Sequence, residues 1–390
     1  MLTTKLDINW PEPKSCFGIW IRICPIPNNT EEKQVSDFML KKLQITFLAI
    51  LSFCKVVCGG QIENISGNTG AEIELRRNFH INFREGDKVS KLLYQRQLME
   101  FATSPLQVPL KWYFSGVAPR EYVVELSSTP DFSSAKKFIT DVNMVIVDNL
   151  LLSTTYYWRV SAVVEGKKIE SDVFTFRTSD TPPRWIRVPG AGNFRDIGNW
   201  QVPGGRIKQG MVFRGTRIDR EPWKATSEGI DILIRDLKIK SELDLRGPKE
   251  NPFILKQYGV NVIARPYQGY MIGLQKPEIR KMTVELLENF ADPEFYPVYV
   301  HCDGGADRTG TLIFLLEAIC GVSDEDLLLD YEYTTFFGYR HRSTKQMKPF
   351  LDMIDSKPGK NMSEKAIAFL KEEGMSEECM DKIRTLLVDK

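Results

Sequence analysis

The sequence predicts an α/β domain, with a largely parallel central sheet and flanking helices, preceded by an all-β sandwich domain. Three observations carry this. Five β-rich runs separated by turn residues fill positions 103–179. A Pro-Pro pair at Pro182-Pro183 then stops both ladder and helix. From about Trp185 onward, short strand patterns alternate with apolar helical patterns.

The chain has 390 residues, enough for two or three domains. Its 52 Lys and Arg against 51 Asp and Glu leave a net charge of +1, which excludes a disordered polyelectrolyte. The same balance argues against a nucleic-acid partner held by bulk charge, because no positive surplus exists to release counterions. The seven cysteines are Cys16, Cys24, Cys54, Cys58, Cys302, Cys320 and Cys379. They make no zinc spacing, and neither a disulfide scaffold nor a bound metal or cofactor is expected.

The segment from Met39 to Gly60 reads as a secretory signal: Lys41 and Lys42 give the charged start, Leu43 to Phe53 the apolar stretch, and Gly59 and Gly60 a cleavage site. It is too short, and too interrupted by Lys55, for a transmembrane helix; the competing reading is a buried core strand or helix. The mature protein is therefore expected to begin near residue 60, outside the cytoplasm and without a membrane span. Residues 1–38 are Pro-rich and aperiodic, and translation is expected to start at Met39. Cys58, followed by two glycines, is a candidate for lipid attachment, although Lys55, Val56 and Val57 fit such a site poorly.

Residues 61–102 are mixed. Ile73 to Phe83 alternates like a strand, and Lys91 to Phe101 like a short amphipathic helix. In 103–179 the β-rich runs are Pro109–Phe114, Tyr122–Leu126, Met144–Val147, Thr155–Val163 and Val173–Phe176. No residue cluster there suggests chemistry, so the sandwich reads as a spacer or as a module for a protein or glycan partner. Residues 180–184 form a linker. In 185–390, Lys240–Leu245, Val260–Ile263 and Pro297–His301 are strand candidates. Glu278–Phe290 is a helix with Pro277 in its first turn, and Thr309–Cys320 an apolar helix ended by Gly321.

The chemistry-bearing stretch is His301-Cys-Asp-Gly-Gly-Ala-Asp-Arg-Thr-Gly310, running from a strand through a glycine-containing loop into a helix. Loop amides from Asp303 through Gly304, Gly305, Ala306 and Asp307 to Arg308 can turn inward as a nest that leads into a helix N-terminus. A phosphate-sized anion fits there, and Arg308 can clamp two of its oxygens. The same field favours a thiolate on Cys302, since cysteines so placed have pKa values lowered to about 3.5–7.5. In-line attack on a bound phosphoryl group, a cysteinyl-phosphate and its hydrolysis follow.

This stretch resembles the active-site signature of the cysteine-dependent protein tyrosine phosphatases. The resemblance implies Cys302 as nucleophile, Arg308 as phosphate and transition-state binder, Thr309 as an aid to thiolate departure, and His301 as a residue that tunes the cysteine. It extends over about residues 185–390 through Pro189–Gly198, Val212–Arg217, Glu242–Glu250, Cys320–Thr334 and the closing helix pair, and is nearest to a bacterial branch with Asp before the signature Arg. Thr154–Val160 with Phe174–Thr178 likewise resembles a fibronectin type III module. Asp244, Arg246 and Glu250 sit at the carboxyl end of a strand, where they either contact substrate or anchor a loop. Asn193 to Asp196 read as structural.

Ala264–Gly273, where many tyrosine phosphatases place a general acid, contains no acid. Asp307 is then the first candidate, against a role in orienting loop amides or water; Asp219 and Asp244 come next. Ala306 stands where that branch often has Lys, which counts against doubly phosphorylated lipids. The leading expectation is a secreted phosphatase acting on phosphotyrosine or with dual specificity. A phosphoinositide or inositol-phosphate phosphatase would need a basic rim, for which Arg214, Arg217, Arg220 and Lys249 are candidates. Tyr267 and Tyr270 would instead stack on a phosphotyrosine ring. A phosphate-binding adhesion protein without turnover is the reading from another class.

Overall fold

The computed structural model describes residues 60–86, 103–269, 273–337 and 342–389. The signal segment before Gly60, Cys58, the helix expected over 91–101 and Tyr270 lie outside the described residues. Two sheets form the N-terminal part. One contains β1 (Ile62–Asn64), β3 (Val108–Phe114) and β6 (Met144–Val147). The other runs β2 (Glu72–Ile73), β9 (Phe174–Thr178), β7 (Thr155–Val164), β4 (Tyr122–Ser127) and β5 (Lys136–Thr140), with β8 (Lys167–Glu170) on β7. Alternation decides which face is buried. In β3, Val108, Leu110, Trp112 and Phe114 point inward and Lys111 and Tyr113 outward; in β7, Tyr156, Trp158, Val160 and Ala162 point inward. The inward residues of both sheets make one core. Segment 61–102 supplies a strand to each sheet, β1 beside β3 and β2 beside β9.

The strand expected over Ile73–Phe83 is largely a helix: only Glu72–Ile73 pairs, and Asn78–Arg84 forms α1. Phe79 and Phe83, four apart, fit either period, and tertiary packing decides. Phe79 and Phe83 meet Phe336 at ring-centroid distances of 5.4 and 4.9 Å, and His80 stacks on Trp185 at 5.0 Å. That aromatic cluster exists only on a helical face.

The second part is built on a six-stranded sheet ordered β10 (Arg184–Trp185), β11 (Arg195–Asp196), β14 (Val212–Gly215), β19 (Val298–His301), β17 (Ser241–Asp244) and β18 (Asn261–Ala264). The last four are mutually parallel, and β10 and β11 add an antiparallel edge. β19 is buried along its whole length, with Val298 and Val300 in one core and Tyr299 in the other. The sheet thus separates two apolar layers, as parallel sheets require. A minor sheet joins β12 (Gln201–Val202), β13 (Gly205–Ile207) and β20 (Val388–Asp389), and a small ladder pairs β15 (Asp219–Arg220) with β16 (Trp223–Lys224).

The helices are α2 (Ser227–Asp231), α3 (Pro277–Glu288), α4 (Asp307–Cys320), α5 (Asp324–Tyr333), α6 (Thr344–Asp355), α7 (Met362–Glu372) and α8 (Glu377–Leu387). α4 is buried on every side from Thr309 to Cys320, which is why its sequence is apolar rather than amphipathic. Gly321 ends it in the left-handed region at φ 89°. Among the described residues no helix is long and apolar enough to cross a membrane.

Candidate active site

β19 delivers His301 to the edge of the sheet, the chain turns through residues 302–306, and α4 starts at Asp307. Cys302 is 4% exposed and carries a free thiol. It lies at a cavity of about 210 Å³, lined by Cys302, Asp303, Gly304, Ala306, Asp307 and Arg308 of the loop and by Arg342 from beyond α5. Most of the loop residues singled out from the sequence therefore converge on one small space. Gly305 has φ +61°, and a Cβ there would lie 2.1 Å from the Gly215 carbonyl oxygen, so the close approach to β14 admits only glycine.

The loop's peptide groups are turned by hydrogen bonds on the side away from the cavity. Asn193 Nδ2 donates to the carbonyls of Gly304 and Gly305 at 3.2 and 3.1 Å, and Arg214 Nη2 donates to Gly305 at 2.9 Å. In a trans peptide the N–H points opposite to the C=O. The N–H groups of Gly305 and Ala306 therefore face away from Asn193 and Arg214, and the α4 N-terminus adds its partial positive charge.

A buried ion network fixes these two donors. Arg195 donates to Asn193 Oδ1 at 2.6 Å and, through Nε, to Asp330 Oδ1 at 2.8 Å; Arg214 Nη1 pairs with Asp330 Oδ2. Burial opposes the charge on Asp330, but Arg195 and Arg214 outweigh it and hold its carboxyl below the usual range. Burial, then the charge of Arg214, lowers Arg195 to about 10. Glu317, from α4, lies close by with no hydrogen-bond partner among the described residues, and burial followed by the Asp330 charge pushes its carboxyl well up. Arg214, expected as a surface contributor to a basic rim, is instead fully buried in this network. Asn193 to Asp196 are structural, as the sequence suggested.

Behind Cys302, His301 Nε2 lies 2.8 Å from Glu242 Oε1, while its Nδ1 lies 3.1 Å from the Cys302 carbonyl oxygen and 3.8 Å from Asp244 Oδ1. Burial alone would lower the His301 pKa, but the Asp244 charge and then the Glu242 hydrogen bond outweigh it and push it up to about 9. Arg246 pairs with Asp244 and with Asp219, each at 2.8 Å. Asp244 and Arg246 are thus mutually tied at the carboxyl end of β17 rather than lining the cavity, and the two reserve candidates for a general acid, Asp219 and Asp244, are both engaged by one guanidinium. Among the described residues, Glu242, Asp244 and His301 are the grouping whose ligand atoms lie close enough for a metal, within 4.8 Å. All three are buried: Glu242 Oε1 meets His301 and Asn251, and Asp244 is held by Arg246.

Asp307, 28% exposed at its side chain, accepts from Tyr331 Oη at 3.1 Å and from Arg342 Nη2 at 3.2 Å. Arg308 Nη1 donates to the Leu245 carbonyl at 3.3 Å. The Thr309 hydroxyl is buried and has no hydrogen-bond partner, Cys302 included. Asp303 is held by Arg217 Nε at 2.7 Å, so Arg217 supports the loop and does not serve a basic rim. Arg220, half exposed, sits among three carboxylates, Asp219, Glu250 and Asp303, at 3.4, 3.5 and 3.8 Å.

Tyr267 is not at the rim either: it is 0% exposed, its hydroxyl 3.0 Å from Thr283 Oγ1. The aromatic pair beside the loop is Trp223 with Phe337, 5.1 Å apart, and Phe337 abuts Gly304. Arg342, Trp223 and Phe337 carry no motif in the sequence. Glu242 carried a signal, a charged residue within a strand buried on both faces.

Residues 186–389, just over half of the chain, match the tyrosine phosphatase family, and the chain belongs to it. No curated protein matches. Among solved structures, the chain is similar to the core catalytic domain of the PP-IP phosphatase SIW14 from S. cerevisiae, determined in complex with citrate. The identity is 23% over 36% of this chain and 79% of that one, with a TM-score of 0.28.

The raised His301 pKa has a signed consequence. Its contribution to stability is fully present below about pH 6.5, the ordinary histidine value, and is lost as pH rises through about 9. In Glu242→Gln, which removes one of the raising charges, less of this pH-dependent loss should remain. Denaturant unfolding from pH 6 to 10 checks it, and parallel curves for both proteins would contradict the ion pair.

Proposed function

We propose that this member of the tyrosine phosphatase family hydrolyses phosphomonoesters through a cysteinyl-phosphate intermediate, with phosphotyrosine or a dual-specificity protein substrate as the substrate class. The observation that carries this is the placement of Cys302 at a cavity of about 210 Å³, roofed by inward loop amides, the α4 N-terminus and Arg308. Sγ attacks phosphorus as the ester P–O bond breaks, and Asp307 gives a proton to the departing oxygen. A water then attacks phosphorus, returns a proton to Asp307 and releases the thiolate, which the unpartnered Thr309 hydroxyl is available to receive. Arg308 and the amides stabilise the charge that spreads over the equatorial oxygens.

The Trp223–Phe337 pair beside Gly304 supports an aromatic leaving group. Three carboxylates around Arg220, the burial of Arg214 and Ala306 in the loop all count against a polyphosphorylated headgroup. The Asp307-Arg308 order supports the bacterial branch, and the two N-terminal sheets support a fibronectin type III-like module for a protein or glycan partner. The signal pattern of residues 39–60 supports an extracytoplasmic protein, with Cys58 as a candidate lipid anchor.

Cys302→Ser should abolish turnover of an aryl phosphate while leaving phosphate binding intact. Residual activity above about one part in a thousand would sink covalent catalysis, since loss of an essential nucleophile costs more than that. Arg308→Lys should lose most activity, because an ammonium cannot reproduce the planar fork.

Asp307→Asn should slow poor leaving groups by about 100- to 10,000-fold and activated aryl phosphates far less, because only a basic departing oxygen needs protonation. An equal loss across leaving groups would mean that Asp307 only shapes the loop.

Mass spectrometry of the protein from its native host should find a mature N-terminus near residue 60. A cytoplasmic product retaining Lys41 and Lys42 would refute export.

A further inference from the structure

Among the described residues that line the cavity, Arg342 alone comes from outside the loop and the start of α4. Its position is built rather than incidental. Its backbone N–H donates to Thr335 Oγ1 at 2.9 Å, and the same hydroxyl donates to its carbonyl at 3.2 Å. Thr335 is itself fully buried in the turn after α5. The Arg342 side chain is only 7% exposed, so its charge is largely withdrawn from water. The acid facing it, Asp307, is shared with Tyr331 and meets only Nη2. The Arg342 Nε–H is buried with no acceptor among the described residues. A buried unpaired donor is destabilising, more so when charged, unless an acceptor arrives with a ligand.

We propose that Arg342 is a second phosphate-binding guanidinium, which donates to phosphoryl oxygens in the cavity while Arg308 clamps them from the loop. This rests on the phosphatase reading of the site and extends it to specificity. A second guanidinium adds positive charge at the cavity, which favours the dianionic monoester over a monoanionic phosphodiester. Arg342 also bridges the phosphoryl group to Asp307, so the acid and the transferred group share one positioning residue.

The test is direct binding of inorganic orthophosphate to the full chain by calorimetry, in wild type, Arg342→Met, Arg342→Lys, Asp307→Asn and the Asp307→Asn/Arg342→Met double variant. Loss of a hydrogen bond to a charged group predicts a 10- to 100-fold weaker Kd, roughly, for Arg342→Met. The weakening should persist in the Asp307→Asn background, where no carboxylate remains for Arg342 to hold. If it vanishes there, Arg342 acts only through Asp307 and the proposal is overturned. An unchanged Kd in Arg342→Met overturns it as well. Should Arg342→Met fail to fold by thermal unfolding, Arg342→Lys decides: it keeps the charge but loses the fork, and it should still bind orthophosphate several-fold more weakly than wild type. Orthophosphate binding needs no chemistry. Arg342-dependent binding without aryl phosphate turnover would therefore defeat the phosphatase reading and leave this one standing, and turnover with Arg342-independent binding would do the reverse.

Discussion

Asn193 and Arg214 hold the carbonyls of Gly304 and Gly305 on the far side of the loop, and the orientation of the next two N–H groups follows from it. A five-residue turn between strand and helix has several ways to arrange its peptide planes, and only some point consecutive N–H groups at one spot. Here the choice is made by donors outside the loop. Asn193 itself sits at φ 52°, in the left-handed region that Asn tolerates better than most residues, and its side chain is aimed by Arg195. Gly305 completes the arrangement, because the loop touches β14 where any Cβ would collide. The proposed roles of Cys302 and Arg308 depend on all of this: a thiol and a guanidinium without oriented amides between them would bind an anion only weakly.

The network that performs this work is a costly one. Two arginines and one aspartate leave water together, and replacing such a group with apolar side chains is often neutral or stabilising. What apolar side chains could not supply is a donor for the Gly305 carbonyl and a partner for Asn193. Burial and the neighbouring Asp330 charge push the Glu317 carboxyl well up, which opposes a further negative charge beneath the loop.

The sequence made legible whatever is contiguous. Cys302 to Thr309 form one run, its strand–loop–helix context followed from the apolar patterns, and the alternation in Val108–Phe114 and Thr155–Val164 reads directly as half-buried strand. Where side chains meet only in three dimensions, sequence patterns gave little. Arg214 looked like a surface cation and is buried, because Asp330 comes to it from a distant helix. Tyr267 looked like a rim aromatic, yet Thr283 satisfies its hydroxyl in the core. Phe79 and Phe83 suit both a strand and a helix, and the aromatic cluster with Phe336 and Trp185, far along the chain, settles the matter. Arg342 has no local signature, since its role arises from Thr335 and Asp307.

The two sheets at the N-terminal side are more than a tethered module. Arg184, at the first strand of the α/β part, donates to the carbonyls of Leu150 and Asn149 in the first part and to Asp196 in the second, at 3.0, 2.8 and 2.7 Å. Asn149 answers with a bond to the Arg187 carbonyl, and Gln209 exchanges two bonds with the backbone of Leu152. Asp196 is the neighbour of Arg195 on β11, the strand whose arginine aims Asn193 at the loop. Thr103 Oγ1 accepts from the Asn193 N–H itself. Removing the N-terminal part would therefore leave Arg184, buried and paired with Asp196, without two of its three acceptors, and Asn193 without its backbone partner. The scaffold of the nest begins outside the α/β part, which gives a physical reason for the two parts to pack as one compact unit from Gly60 onward.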